Sequence, residues 1–413
     1  MGVLFRKFHA YRCPAYIKIA GLCIVIAVFV IACAAMQARE EPPEVAAEPQ
    51  PIPEPTPEPR PEPQPEEPSL KDSLDVEIAT WRGFAGGAAS ITFDDGTWDQ
   101  YALGAPVLEE YGVRGTFFII SHLMNRGVWN DSGTVRRLMS WDEAAELAEA
   151  GHEIGAHGAT HADLSRSGAD AEYELTESRR RIEEKLSDVE VVSMSWPYFR
   201  STSEVRAIAE EVYIAARGGA AIPDQYRSLH ETNPSSATPP DLYKINAIGV
   251  RPVDPPEDWI ELAEALYAEG GWAVVTLHGI DDGSLGPPRI GWQPIRPIDL
   301  AAIIEGLQSR DLWIAPFGEV AAYIRHRERA EIELQALGEH EVSVAISGDE
   351  RANRVGVPLT VRLSARDEVG AIPIELVGGL AADLPSGRDL VVEVTPNSEP
   401  LIIRAAGEVA AGR

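Results

Sequence analysis

From Trp81 to Ala315 the chain alternates short apolar runs with stretches whose apolar residues recur at helical spacing, and nothing else in it restricts folding as strongly. The alternation is that of βα units, where each strand needs a crossover helix to reach a parallel neighbour. Candidate strands are Ala88–Phe93, Arg114–Ile120, His152–Ala156, Val191–Trp196, Val212–Ala216, Lys244–Val250, Trp272–Leu277 and Leu312–Ala315. Helices are expected at Trp141–Ala150, Glu257–Glu269 and Ile298–Ser309. The first has Ser140 as N-cap, Glu143 at the capping-box position and Gly151 as its stop. Eight strands separated by helices predict an α/β chain folded as a distorted (β/α)7-8 barrel.

The flanks differ from this core. Residues 331–413 alternate in short β-like stretches, Glu341–Ile346, Pro358–Leu363, Ile372–Leu376, Leu390–Thr395 and Leu401–Arg404, and predict a small all-β, sandwich-like C-terminal module. No Trp or Tyr follows Tyr323, so the module is expected to pack on the barrel rather than to offer a sugar platform. Residues 40–68 hold twelve prolines, nine Glu and one Arg, which gives this segment alone a charge of −8 of the chain's −29. Alternating Pro and Glu favours extended polyproline II and reads as a linker, on the order of 90 Å long at about 3.1 Å per residue. Residues 1–39 carry Arg6, Lys7, Arg12 and Lys18 ahead of an apolar run from Ile19 to Met36, the pattern of a signal peptide or signal anchor. Val30-Ile31-Ala32-Cys33 is similar to a lipobox, which would make Cys33 the lipidated residue of a lipoprotein. Either form predicts an extracytoplasmic protein tethered to a membrane, with plain secretion as the alternative. Residues 69–330 are left as the barrel. All three cysteines (Cys13, Cys23, Cys33) precede it, so it contains no disulfide. A net charge of −29 without a basic stripe excludes nucleic acid as a partner.

Two words carry the chemistry. Thr92-Phe93-Asp94-Asp95-Gly96 places two carboxylates directly after the first strand, and His157-Gly158-Ala159-Thr160-His161 places two imidazoles directly after the third. In a barrel of this kind both lie on the C-terminal face, where such folds carry their chemistry. Asp95, His157 and His161 supply one carboxylate and two imidazoles, a donor set that suits a single divalent metal: Zn²⁺ first, with Co²⁺ or Ni²⁺ also fitting. Asp94 is then placed as a general base toward a water at that metal.

The word pair resembles the polysaccharide deacetylases, carbohydrate esterase family 4, also called the NodB-homology domain. The resemblance runs from about Ala88 to Arg325. It implies a metal-dependent hydrolase that removes acetyl groups from a polysaccharide, with Asp95, His157 and His161 as metal ligands and Asp94 as base. Met194-Ser195-Trp196-Pro197-Tyr198 resembles the third family motif, which assigns Trp196 and Pro197 to the substrate pocket and the Tyr198 backbone N–H to the oxyanion. Val275-Thr276-Leu277-His278 resembles the last motif, with Leu277 lining the acetyl pocket and His278 protonating the leaving group.

Three departures stand beside these matches. Ser195 occupies the position of an Arg that orients the base in many members, and Arg217, after the next strand, is the candidate substitute. Gly158 stands where Ser or Thr is usual, and no fourth motif is recognisable. His122, His152 and His230 read as structural or surface residues, and Asp281 and Asp282 as a solvated loop. The expected partners are thus an acetylated polysaccharide and, through the N-terminus, a membrane. An N-acetyl amide is the leading target, an O-acetyl ester of the acetylxylan kind is the first alternative, and a non-catalytic glycan-binding lipoprotein the second.

Overall fold

The computed structural model describes residues 69–406 apart from 132, 167, 219–234, 251–254, 285–290, 368–369 and 378–388. The expected leader, lipobox, linker and His230 lie outside the described residues. Among the described residues, no helix is long and apolar enough to cross a membrane.

The chain enters through α1 (Leu70–Ser73) and β1 (Leu74–Ile78). It then runs through β2 (Gly87–Phe93), α2 (Ala105–Glu110), β3 (Thr116–Ile119), a hairpin of β4 (Val128–Asp131) and β5 (Thr134–Arg137), α3 (Trp141–Glu149), β6 (Glu153–Ala156), α4 (Ala171–Lys185), β7 (Ser193–Ser195), α5 (Ser203–Val212) and β8 (Ala215–Arg217). After β9 (Ile248–Gly249) come α6 (Pro256–Glu269), β10 (Trp272–Leu277), α7 (Pro297–Gln308), β11 (Leu312–Ile314) and α8 (Phe317–Glu328). The last strands are β12 (Ile332–Ala336), β13 (Glu341–Ile346), β14 (Leu359–Asp367), β15 (Gly370–Ile372), β16 (Ile374–Leu376), β17 (Leu390–Val394) and β18 (Leu401–Ala405).

The barrel strands pair in parallel in the order β8-β7-β6-β3-β2-β10-β9, and β11 adds to the start of β2. Every residue of β2 and of β10 is buried, as expected for parallel strands covered on both faces. The sheet curls toward closure at the segment after β8. Gly218 donates its N–H to the Ile245 carbonyl at 2.7 Å, and Ile248 pairs with Val275 of β10. The expected strand Lys244–Val250 is therefore only partly a strand. Ile245 touches β8, Ile248–Gly249 touch β10, and between them the Asn246 N–H turns aside to Ser235 Oγ.

Two four-stranded antiparallel sheets follow, β1-β14-β15 with β17 on β14, and β12-β13-β18-β16. The first takes β1 from ahead of the barrel, in register from Leu74↔Ala365 to Ile78↔Val361. The expected strand Ile372–Leu376 breaks at Pro373. A residue without N–H cannot continue a ladder, and β15 and β16 go to different sheets. The described residues belong to one compact unit. Helix α8 is the seam. Its Phe317, Val320, Ala321 and Ile324 are buried in one cluster with Trp81 and Trp272 on one side and Val342, Leu359, Val361 and Ile403 on the other. A buried ion pair, Arg325 Nη2 to Asp349 Oδ2 at 2.8 Å, fastens the same helix to the module.

Candidate active site

Five strand ends converge on the C-terminal face, carrying Asp94 and Asp95 (β2), His157 (β6), Ser195 to Tyr198 (β7), Arg217 (β8) and His278 (β10). Among the described residues, four of the eight non-glycine residues with positive φ stand here: Asp95 (79°), His161 (69°), Tyr198 (59°) and Phe199 (56°). Each such conformation costs about 1–3 kcal/mol and persists only where its surroundings hold it. The backbone is therefore bent at this face to aim side chains that an ordinary turn would direct elsewhere.

Asp95, His157 and His161 each offer one ligand atom, and these atoms all lie within 4.8 Å of one another. Asp95 Oδ1 is 3.6 Å from His157 Nε2 and 3.5 Å from His161 Nε2. Tetrahedral coordination with bonds of about 2.0–2.2 Å puts ligand atoms about 3.4 Å apart, so these three residues fit a single cation. The hydrogen bonding of His157 supports the same use. Its Nδ1 is 3.0 Å from the Ser195 carbonyl, which can only accept, so Nδ1 carries the proton and Nε2 keeps its lone pair for the cluster.

Asp94 sits behind this group and is buried. Arg217 Nη2 donates to both of its oxygens, at 2.5 Å each, while Arg217 Nη1 donates to Thr276 Oγ1 at 3.0 Å. Arg217 is fully buried, its guanidinium 4.9 Å from the Phe199 ring. Ser195, at the position where related motifs carry Arg, donates Oγ–H to Asp94 Oδ1 at 3.1 Å. It thereby links Asp94 to His157, whose Nδ1 is 2.6 Å from the same Oγ. The cation beside Asp94 thus comes from β8, and a hydroxyl fills the space on β7. Burial opposes ionisation of Asp94, but Arg217, with help from His157 and His278, outweighs it and holds the carboxyl below its usual range. Burial likewise opposes ionisation of Asp95, and the neighbouring imidazoles of His157, His161 and His278 hold it well below that range. Burial lowers His157, but Asp94 and Asp95 raise it further, and the net is upward. For His278 burial dominates and the net is downward. Its Nε2 stands 3.8 Å from Asp94 Oδ2.

Aromatic rings surround the histidines. Tyr198, about half exposed, and Trp129 from the β4–β5 hairpin lie 4.6 and 5.3 Å from His161, centroid to centroid. Trp292 lies 5.0 Å from His278. Trp196, expected in the substrate pocket, is elsewhere. It is fully buried and its indole N–H is bound to the Tyr243 carbonyl at 2.9 Å, so it belongs to the core behind β7. Pro197 and Leu277 are also buried, Leu277 in register with Phe93. Gly158 has φ +76°, and a Cβ there would come within 2.9 Å of Glu174 Oε2. The missing hydroxyl is thus accompanied by a carboxylate that accepts the Thr160 N–H at 2.9 Å. His152 is buried, with Nδ1 accepting the Gly115 N–H, and His122 faces Glu177 at 3.3 Å. Asp281 and Asp282 close small turns onto the N–H groups of Gly283 and Ser284.

Residues 83–216 match the profile of the polysaccharide deacetylases. This segment belongs to the polysaccharide deacetylase family. It contains Asp94, Asp95, His157, His161 and Tyr198 and ends one residue before Arg217, so the cation beside Asp94 lies just outside the matched stretch. The chain is also similar to a gellan lyase from a Bacillus species, 23% identical over 315 residues that make up 72% of this chain and 12% of that protein. A Bacillus subtilis strain 168 protein that carries a polysaccharide deacetylase name is 24% identical over 139 residues, 33% of this chain and 47% of the relative. The chain therefore spans less than half the length of either relative. Among solved structures, the Streptococcus pyogenes deacetylase PplD in complex with acetate is 21% identical with a TM-score of 0.34, over 42% of this chain and 68% of that one. Sequence reasoning about the site missed Trp129, Trp292, Asp99 and Gln100. None of the four stands in a word that carries a motif.

Proposed function

We propose that the protein is a metal-dependent hydrolase that releases acetyl groups from a polysaccharide, with an N-acetyl amino sugar as the leading target. One observation carries the reading: a three-residue metal-type cluster stands beside a carboxylate held by a fully buried Arg, with a second imidazole 3.8 Å from that carboxylate. Asp95, His157 and His161 would hold one divalent cation, and two imidazoles with one carboxylate favour Zn²⁺, with Co²⁺ and Ni²⁺ as alternatives. Such a cation, when bound, polarises the acetyl carbonyl and lowers the pKa of a nearby water.

The chain's own residues do the rest. Asp94 accepts the proton of the attacking water, and Arg217 keeps its carboxylate ionised and aimed. The backbone N–H of Tyr198, a residue with positive φ, would donate to the oxygen that becomes negative. His278 Nε2 delivers a proton to the departing nitrogen or oxygen, while Leu277 and Pro197 shape the apolar space for the acetyl methyl. The apolar run and lipobox near the N-terminus support a membrane-tethered, extracytoplasmic location, with the Pro/Glu-rich segment as the tether.

The test pairs Asp95→Ala with wild type. Acetate release from N-acetylated chitooligosaccharides, peptidoglycan and acetylxylan is measured alongside divalent metal content. Loss of both properties together is expected, and acetate release that survives the substitution refutes the assignment. The substrate with the highest kcat/KM separates amide from ester.

A further inference from the structure

We propose that Asp99 and Gln100 are positioning residues that fix the separation of Asp94 and His278. The proposal rests on the reading of those two groups as base and acid. They sit on neighbouring strand ends, and the β2–β10 ladder stops at that point. Phe93 is paired with Leu277, and the Asp94 N–H makes the last ladder bond, to the Leu277 carbonyl at 2.9 Å. Nothing in the sheet itself then sets how far apart Asp94 and His278 stand.

A single side chain takes over beyond the ladder. Gln100 Nε2 donates to the Asp94 carbonyl at 2.5 Å and to the His278 carbonyl at 2.6 Å, so its two amide hydrogens tie the two residues together. Thr97 Oγ1 adds a bond to the same His278 carbonyl at 3.3 Å. Asp99 holds the loop that leaves His278 by both limbs: Oδ2 accepts the Ile280 N–H at 2.7 Å and Oδ1 accepts the Gly291 N–H at 3.1 Å. The limbs are also joined directly, by Ile295 N–H to the Gly279 carbonyl at 3.0 Å and Asp281 N–H to the Ile295 carbonyl at 2.8 Å. Gly279 and Gly291 pack so closely that a Cβ on Gly279 would meet the Gly291 carbonyl carbon at 2.8 Å. His278 is therefore fixed from its own carbonyl forward.

Local backbone geometry points the same way. Gln100 opens a π-helical turn, Gln100–Gly104, that runs into α2. Such turns are rare and concentrate at functional sites, because the wider turn re-aims a side chain. Asp99 and Gln100 are both fully buried. Burying an amide and a carboxyl costs several kcal/mol unless their hydrogen bonds are made. An apolar pair would fill the same volume without that cost, but could not tie the two carbonyls or the two loop limbs together. Asp99, pushed up to about 6 by burial despite its backbone donors, shows that the cost is still felt.

The experiment is Gln100→Met in the full-length, metal-loaded protein, since Met keeps the length and loses both donors. Misplacement by about 1 Å can cost about 100-fold in rate. The expected result is a kcat on N-acetylated chitooligosaccharide lower by about 10- to 100-fold, with KM and divalent-metal affinity within about twofold. Hydrolysis of 4-nitrophenyl acetate, whose phenolate leaves without a proton, should fall by less than about threefold. A crystal structure of the variant should show the His278 Nε2 to Asp94 Oδ2 distance widened from 3.8 Å. An unchanged distance overturns the proposal whether or not the enzyme is active, as does an equal loss on both substrates. If wild type releases acetate from neither substrate while the distance still widens in the variant, the reaction assigned above fails and the positioning role stands. Asp99→Asn, which keeps the volume and one acceptor, reads the same quantities should Gln100→Met fail to fold, with a smaller kcat loss expected.

Discussion

Replacing Arg217 by Met probes the most heavily desolvated charge of the site. Arg217 and Asp94 are both buried, and the guanidinium gives one N–H group to both carboxylate oxygens at 2.5 Å and another to Thr276 Oγ1. Met fills much of the Arg volume, so the cavity contribution is small. The loss is then mainly that of a buried carboxylate stripped of its cation, about 3–5 kcal/mol. In thermal terms this is on the order of 10 °C for a unit of this size. Equilibrium unfolding in guanidinium chloride with chelator present isolates the effect from any bound metal. Asp94→Asn alone is expected to destabilise as well, because it leaves the Arg charge buried without its counter-ion. The double variant Asp94→Asn/Arg217→Met should recover much of the loss, giving a coupling energy of at least about 2 kcal/mol. Arg217→Lys should not rescue, because one ammonium nitrogen cannot take the places of the two guanidinium nitrogens that separately reach the Asp94 carboxylate and Thr276 Oγ1. A loss below about 1 kcal/mol for Arg217→Met, or a coupling near zero, would mean that water reaches the pair, and the account of how Asp94 is kept ionised would be wrong.

Three further outcomes are expected. His326 is buried and its pKa is pushed down to about 4 by burial, so it folds neutral. Because the folded value lies below the unfolded 6.5, its contribution is complete above pH 6.5 and is lost as pH falls toward 4, by on the order of 3 kcal/mol. The stability difference between wild type and His326→Phe, measured across that window, should change by about that amount, and a flat difference contradicts the reading. His161→Ala should weaken binding of one Zn²⁺ by at least about 100-fold in calorimetry, while Trp196→Phe leaves it within about twofold. Truncation after residue 330 should give a chain that fails to fold cooperatively by circular dichroism and thermal melting. It strips β1 of its β14 partner and Arg325 of Asp349. A stable, monomeric truncated barrel would show that the module is dispensable.

The parts legible in the sequence are those whose physics is local. Strands β10 and β13 match their expected limits to the residue because each is a continuous apolar or alternating run bounded by turn residues. Helix α3 begins at the predicted cap because Ser140 and Glu143 form a complete capping box. The hairpin β4–β5 was not legible: its exposed, mixed residues show no period, and it is held by tertiary contacts such as Arg137 stacked 3.6 Å over Trp98. Strand β1 did carry a signal, since Leu74-Asp75-Val76-Glu77-Ile78 alternates, but its partners lie 283 or more residues on and no local rule names them.

The site divides along the same line. Carboxylates and imidazoles announce themselves by type and spacing, so Asp94, Asp95, His157, His161 and His278 were visible as words. Arg217 was visible only as a cation at a strand end, and its role depends on β8 curling until its guanidinium reaches a carboxylate on β2, a consequence of closure that spacing alone does not encode. Trp196 went the other way: a residue inside a site-like word was turned to the core, because alternation along a strand sends adjacent side chains to opposite faces. Asp99 and Gln100 left no trace, since their partners are backbone groups, which every residue has. A side chain that acts by holding main chain imposes no residue type on its partner. Such positioning elements are therefore the part of a catalytic face that only a folded structure can disclose, and here they stand between the two groups whose spacing the chemistry most requires.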